Sequence, residues 1–290
     1  MAGTTLTSLA GTIFAEEGLI TAMNAIAPIK EFAHRFTEAE KAPGSTIKIP
    51  VFTAKAAQDF DGDYTKNADA AEGVDLLIDK HKFDSKVYSD TDFAQCPVAF
   101  WKGAGQAVGK SVGLGICKTV TDLITADTLT GTGAVFSPSA GTKKQLAALS
   151  AQCEKNDFNP AESILLCSGD VYTQILSLMD AHVYGGPEAI REGSLLPGLY
   201  GFKRIVRCPT LTVNAAVVHC DAIGYGGALL APQSKQVLEE FGYTQDEASG
   251  LAIGVRRFGV NTSGKNYIVG EILMGAKLLQ PTKGFIVAAQ

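Results

Sequence analysis

Between Pro97 and Leu129, apolar positions fall at steps of three and four: Val98, Trp101, Val108, Val112, Ile116, Val120 and Leu123, with Gly105 in the same register. This spacing predicts one long helix, opened by Pro97 in its first turn. About 28 helical residues at ~1.5 Å each would span roughly 42 Å. Gly103, Gly105, Gly109, Gly113 and Gly115 lie inside it, each weakening the helix by up to ~1 kcal/mol relative to alanine. That density predicts another backbone passing close to the helix.

Elsewhere the pattern changes period. "IFAEEGLITAMNAIAPIKEFAHRF", residues 13–36, has helical spacing interrupted by Pro28, which predicts two short helices or a bent arm. After the Pro43-Gly44 turn, Ile47, Ile49 and Val51 alternate with Lys48 and Pro50 as in a strand, and Pro50, lacking an N–H, assigns that strand to an edge. "DKHKFDSKVYSDTDF" reads as a second extended run. "KKQLAALSAQCEKN" is a short helix, and "ESILLCSGDVYTQILSLMD" a strand, turn and helix with Ser168 or Asp170 available as cap. Residues 203–208 read as a strand, "AAVVHCDAIGYGGALLAPQ" as a strand with a turn or short helix, and 250–290 as extended throughout. The fold class is α+β.

Positions 54–95 carry ten acidic residues against five basic ones, so this hairpin and the arm before it have little apolar surface to bury. An isolated hairpin is marginal in water. The expectation is that the residues before Ala94 lie against neighbouring copies of the chain.

The 290 residues are 46% hydrophobic, enough for a substantial core divided between two lobes. A net charge of −5 with short, separate basic clusters gives no stripe for reading nucleic acid. No apolar run is long enough to span a bilayer, and the first residues lack the basic and apolar regions of a secretory signal. None of Cys96, Cys117, Cys153, Cys167, Cys208 and Cys220 forms a CxxC pair, which fits buried free thiols in a reducing cytosol.

Several motifs resemble sites and fail on context. "GVNTSGKN", 259–266, is one residue short of a phosphate-binding loop, but β-favouring residues on both sides predict a hairpin turn. "DFDGDY", 59–64, has carboxylates at alternate positions with its glycine in the wrong register for a calcium loop. "GAGQAVG", 103–109, and "GYGG", 224–227, lack the order of a dinucleotide fold, and helix packing and a turn account for them. None of His34, His81, His182 and His219 sits in a recognisable triad or metal motif; His219 beside Cys220 is expected to be a satisfied core or rim residue. No catalytic, cofactor-binding or metal-binding residue is assigned.

The succession of parts resembles the major capsid protein of tailed bacteriophages, the Hong Kong 97 fold shared with encapsulin shells. "APGSTIKIPVF" with "DFDGDY", then "DKHKFDSKVYSDTDF", resemble the two limbs of that family's extended loop. "SLLPGLYGFKRIV" and "CDAIGYGGALLAP" resemble its axial domain, and "GLAIGVRRFGV" its long peripheral strand. The resemblance implies an N-terminal arm at 1–44 and an extended β-hairpin loop at 45–93. It further implies a spine-helix peripheral domain at 94–154, an α/β axial domain at 155–233, and peripheral-domain strands at 234–290.

By the same resemblance the chain is a structural protein and not an enzyme. It would self-assemble as hexamers and pentamers into the icosahedral head shell of a virion, in the host cytoplasm. Its partners would be a separate scaffolding protein, a portal, in some cases a decoration protein, and double-stranded DNA held non-specifically, with no membrane and no cofactor. The scaffold is expected to be separate because the arm starts almost at Met1. Lys66 and Asn67 lie near the loop tip, yet no motif marks them for the lysine–asparagine cross-links that some relatives form. Two other readings stay open: an encapsulin-like compartment with protein cargo, and a soluble α/β enzyme or binding protein whose pocket carries no motif.

Overall fold

The spine of the molecule is helix α3, Val98–Thr121, its 24 residues spanning ~36 Å. The computed structural model describes residues 3–36, 46–51, 72–89, 91, 98–178, 198–228, 240–245, 251–260 and 264–289. Pro97, the "DFDGDY" segment, Lys66, Asn67, Cys96 and His182 lie outside the described residues. The helix stops eight residues short of Leu129 because threonines take over the backbone. Thr121 donates to the Lys118 and Thr210 carbonyls, while Thr128 donates to the Leu123 carbonyl and accepts from the Thr125 N–H.

Helices α1, Gly3–Ala25, and α2, Ala27–Phe32, precede it, with Pro28 in the first turn of α2 as the sequence requires. The strands before α3 are β1, His34–Arg35; β2, Thr46–Val51; β3, Glu72–Leu77; and β4, Lys80–Ser89. After α3 come β5, Ala134–Val135; α4, Lys143–Lys155; β6, Ser163–Cys167; α5, Gly169–Leu178; β7, Arg204–Arg207; β8, Ala215–His219; and β9, Ile223–Ala228. The chain closes with β10, Glu240–Gln245; β11, Ala252–Val260; β12, Lys265–Leu278; and β13, Gly284–Ala288.

Two sheets carry the fold. In the first, β12 pairs with β11 and then β9 along one edge and with β4 along the other, while β10 and β1 extend it. The second sheet runs β5-β13-β8-β6-β7, so the last strand pairs beside β8. The helices α1–α3 and the inner face of the first sheet share one core, which includes Trp101, Ile116, Ile268, Ile272 and Met274. The second core lies between α4, α5 and the second sheet, around Phe136, Leu146, Phe202 and Phe285. α4 opens with a reciprocal cap: Thr142 Oγ1 accepts from the Gln145 N–H and Gln145 Oε1 from the Thr142 N–H.

The expectation that the first third needs neighbouring copies is corrected for the arm and the hairpin base. Phe14, Leu19, Ala22, Ile26, Ile29 and Phe32 are buried in the chain's own main core. The hairpin base is held too: Ile47 and Ile49 on β2 and Leu76 and Ile78 beside them pack on Leu273 and Leu279. Alternation puts these few apolar residues on one face, and a handful suffices to anchor the base although the segment is polar overall. β2 pairs only with β3 among the described residues, consistent with Pro50 at an edge. A second correction concerns "GYGG", which lies within strand β9 and not in a turn. Cβ atoms at Gly224 and Gly226 would meet Phe36, and at Gly227 Leu251.

The close backbone predicted from the spine glycines is α1. A Cβ on Gly105 would overlap the Phe14 carbonyl, one on Gly109 the Gly18 carbonyl, and one on Gly113 would stand 2.6 Å from the Ala25 Cβ. Gly103 faces open space. This fixes the signs of a substitution pair. Gly103→Ala is expected to stabilise by up to ~1 kcal/mol through helix propensity. Gly109→Ala, with the same propensity gain, is expected to destabilise by about 1–3 kcal/mol because the two backbones must part. Urea denaturation of both variants checks it, and equal shifts would remove the close contact from the account.

Candidate functional site

The sequence motifs resolve first. β11 and β12 pair antiparallel up to Val260–Lys265, with Gly264 left-handed at φ 58°, so "GVNTSGKN" joins two strands and leads into β12 instead of a helix. "GAGQAVG" is inside α3, against α1. His219 is buried and satisfied, as expected: it shares a 3.1 Å hydrogen bond with Glu162 Oε2 through Nε2, and its Nδ1 accepts from the Asp221 N–H at 3.2 Å. Burial pushes the Cys117 and Cys153 thiols up to about 12, and Cys167 higher still, so these are inert packing groups. No described helix is long and apolar enough to cross a membrane.

What the geometry offers is surface. Tyr88 on β4 packs edge-on against Phe100 and Trp101, so the even-numbered residues of β4 face α3. His81, Phe83 and Val87 therefore point away from it, and Phe83 is 64% exposed and Val87 47%. Register places Val87 opposite Tyr267, and Tyr267 opposite Phe258; those two rings stack at 5.1 Å with planes 5° apart. An apolar row thus crosses three strands on the outer face of the first sheet.

Beside that row, farther along β12 on the same face, is a charge that the sequence reading missed. Glu271 on β12 is 3% exposed; its Oε1 pairs with the Arg256 guanidinium on β11 and its Oε2 lies 3.0 Å from His81 Nε2 on β4. Arg256 Nε is buried with no hydrogen bond among the described residues. The signal was present as one carboxylate within the apolar run "YIVGEILMGAKLL", since a buried acid must find a cation. A second missed tie joins α1 to the spine. Lys102 and Gln106 bond to Glu17 at 2.8 and 3.0 Å, and those hydrogen bonds, Lys102's first, hold its carboxyl below the usual range. That contribution is present at neutral pH and is lost on acidification.

No protein-family model matches the chain, and no curated protein matches it by sequence. Solved structures do match. Mycobacterium phage Che8 aligns at a TM-score of 0.50 with 18% identity, covering 84% of each chain. The capsid of cyanophage P-SCSP1u aligns at 0.53 with 15% identity, covering 90% of this chain and 86% of its own. A virus-like particle from Pyrococcus furiosus aligns at 0.54 with 7% identity, covering 94% of this chain and 98% of its own. The fold is therefore that of shell-forming capsid proteins. Within that class it is the Hong Kong 97 type, with mixed helices and sheets arranged as in tailed-phage capsids.

Proposed function

We propose that the chain is the major capsid protein of a tailed bacteriophage, assembling as hexamers and pentamers into an icosahedral head that encloses double-stranded DNA. The observation that carries this reading is the coverage of the match, about nine-tenths of both chains against a phage capsid subunit. The apolar row Val87–Tyr267–Phe258 with Phe83 is then a contact surface for a neighbouring copy. Weak contacts of this kind add up when each subunit is held on several sides in a closed shell. A mildly acidic chain suits a container that holds DNA without gripping it. A separate scaffolding protein and a portal complete the assembly, which takes place in the host cytoplasm.

Negative-stain microscopy of the purified chain tests the reading: closed shells are expected, and particles from the native source should protect double-stranded DNA from nuclease. Phe83→Asp, at an exposed position, is expected to leave the subunit folded and block shell closure. Persistent monomers of the unaltered chain under all assembly conditions would overturn the proposal. The alignment with the Pyrococcus furiosus particle over 98% of its length favours a second reading, a compartment with protein cargo. Native particles holding an enzyme and no DNA would select it.

A further inference from the structure

The turn between β8 and β9 places three dissimilar donors together. His219 Nδ1 lies 3.9 Å from Cys220 Sγ and 3.8 Å from Asp221 Oδ2, and Cys220 Sγ is 3.8 Å from Asp221 Oδ1. Tetrahedral zinc with bonds of about 2.0–2.3 Å holds neighbouring ligands roughly 3.3–3.6 Å apart. The two short distances to Asp221 use its two different oxygens; with one donor atom per residue the three lie within 4.8 Å of one another, so gathering them on an ion takes side-chain movements of about 1 Å. His34 Nδ1, at the end of the N-terminal helices, stands 3.9 Å from Asp221 Oδ1.

Three features prepare this turn for an ion. First, Glu162 Oε2 accepts from His219 Nε2, which assigns the proton to Nε2 and leaves the Nδ1 lone pair facing Cys220 and Asp221. A carboxylate behind a ligating imidazole is the usual support of a metal-binding histidine. Second, the turn is pinned. The Cys220 N–H donates to the Glu162 carbonyl, the Ala222 N–H to the His219 carbonyl, and the Leu279 N–H to the Ala222 carbonyl. Third, a cavity of about 340 Å³ opens beside Asp221 and His34, with room for a water ligand.

We propose that His219, Cys220 and Asp221 bind a divalent zinc-type ion, with His34 or a water as fourth ligand. The Cys220 thiol gives its proton to solvent, and the ion replaces the Asp221 N–H at His219 Nδ1. The site lies where the chain crosses between the two sheets, β8 to β9 on one side and the β12–β13 turn on the other. With His34 engaged, the ion would staple strand β1 to that crossover.

The test uses the full chain, stripped with a chelator and titrated with Zn²⁺ by calorimetry and with Co²⁺ by absorption. A single ion per chain and a thiolate-to-cobalt charge-transfer band are expected. Cys220→Ser should abolish the band, and Glu162→Ala should weaken Zn²⁺ binding about 10–100-fold while circular dichroism stays unchanged. Absence of the band, or its persistence in Cys220→Ser, overturns the proposal. None of these readouts needs a shell, so the result is separable from the fate of the assembly reading.

Discussion

Replacing Arg256 alone by methionine is expected to destabilise the subunit by about 3–5 kcal/mol, because it leaves the Glu271 carboxylate buried without its strongest counter-charge. Glu271 is only 3% exposed, and its remaining partner, His81, is a surface residue on a different strand. Replacing both Arg256 and Glu271 by methionine should recover most of that loss. An apolar pair of similar volume removes the desolvation cost along with the attraction, and such exchanges are often neutral or stabilising. Urea denaturation of the single and double variants measures the difference. If the single variant costs less than about 1 kcal/mol, the pair is more hydrated than its burial implies and belongs with surface ion pairs.

Trp101→Ala is expected to cost a similar amount, about 3–5 kcal/mol, for a different reason. The ring is 2% exposed in the first turn of α3, with Tyr88 edge-on at 5.0 Å and Phe100 at 5.5 Å. Its removal opens a cavity between the spine helix and β4, and a helix cannot collapse into it without dragging α1 along. Set against the roughly 5–15 kcal/mol that stabilises a typical domain, either single change is large. Trp101→Phe should restore part of the loss. Since Trp101 is the only tryptophan in the chain, its fluorescence in the unaltered protein reports this one interface.

Much of the architecture was legible because its signals are periodic. The spine helix, the α4 helix, the strand-turn-helix around Leu165 and the final hairpin all follow from spacing and capping residues. The spine glycines also announced a close neighbour. Which neighbour was hidden, because α1 docks through Gly18, Ala22 and Ala25, residues that contribute little to any apolar pattern. Composition therefore pointed the first third outward although its helices pack at home. "GYGG" misled for a related reason: glycine marks a turn or a crowded strand equally well, and only the approach of Phe36 and Leu251 decides. The partners of Glu271, and the approach of Glu162 and His34 to the His219–Asp221 turn, depend on contacts between segments far apart in sequence, which no local pattern encodes.

The glycines at 105, 109 and 113 recur every four residues, about 6 Å along the helix. With the facing backbone seated in those notches, α1 has no smooth path along the spine. Sliding it by half a repeat would drive Cβ atoms into carbonyls, whereas a whole repeat would find the next notch. Any rearrangement of the N-terminal helix during the life of this protein must then proceed in indexed steps, as a rack moves past a pinion, or by lifting clear altogether.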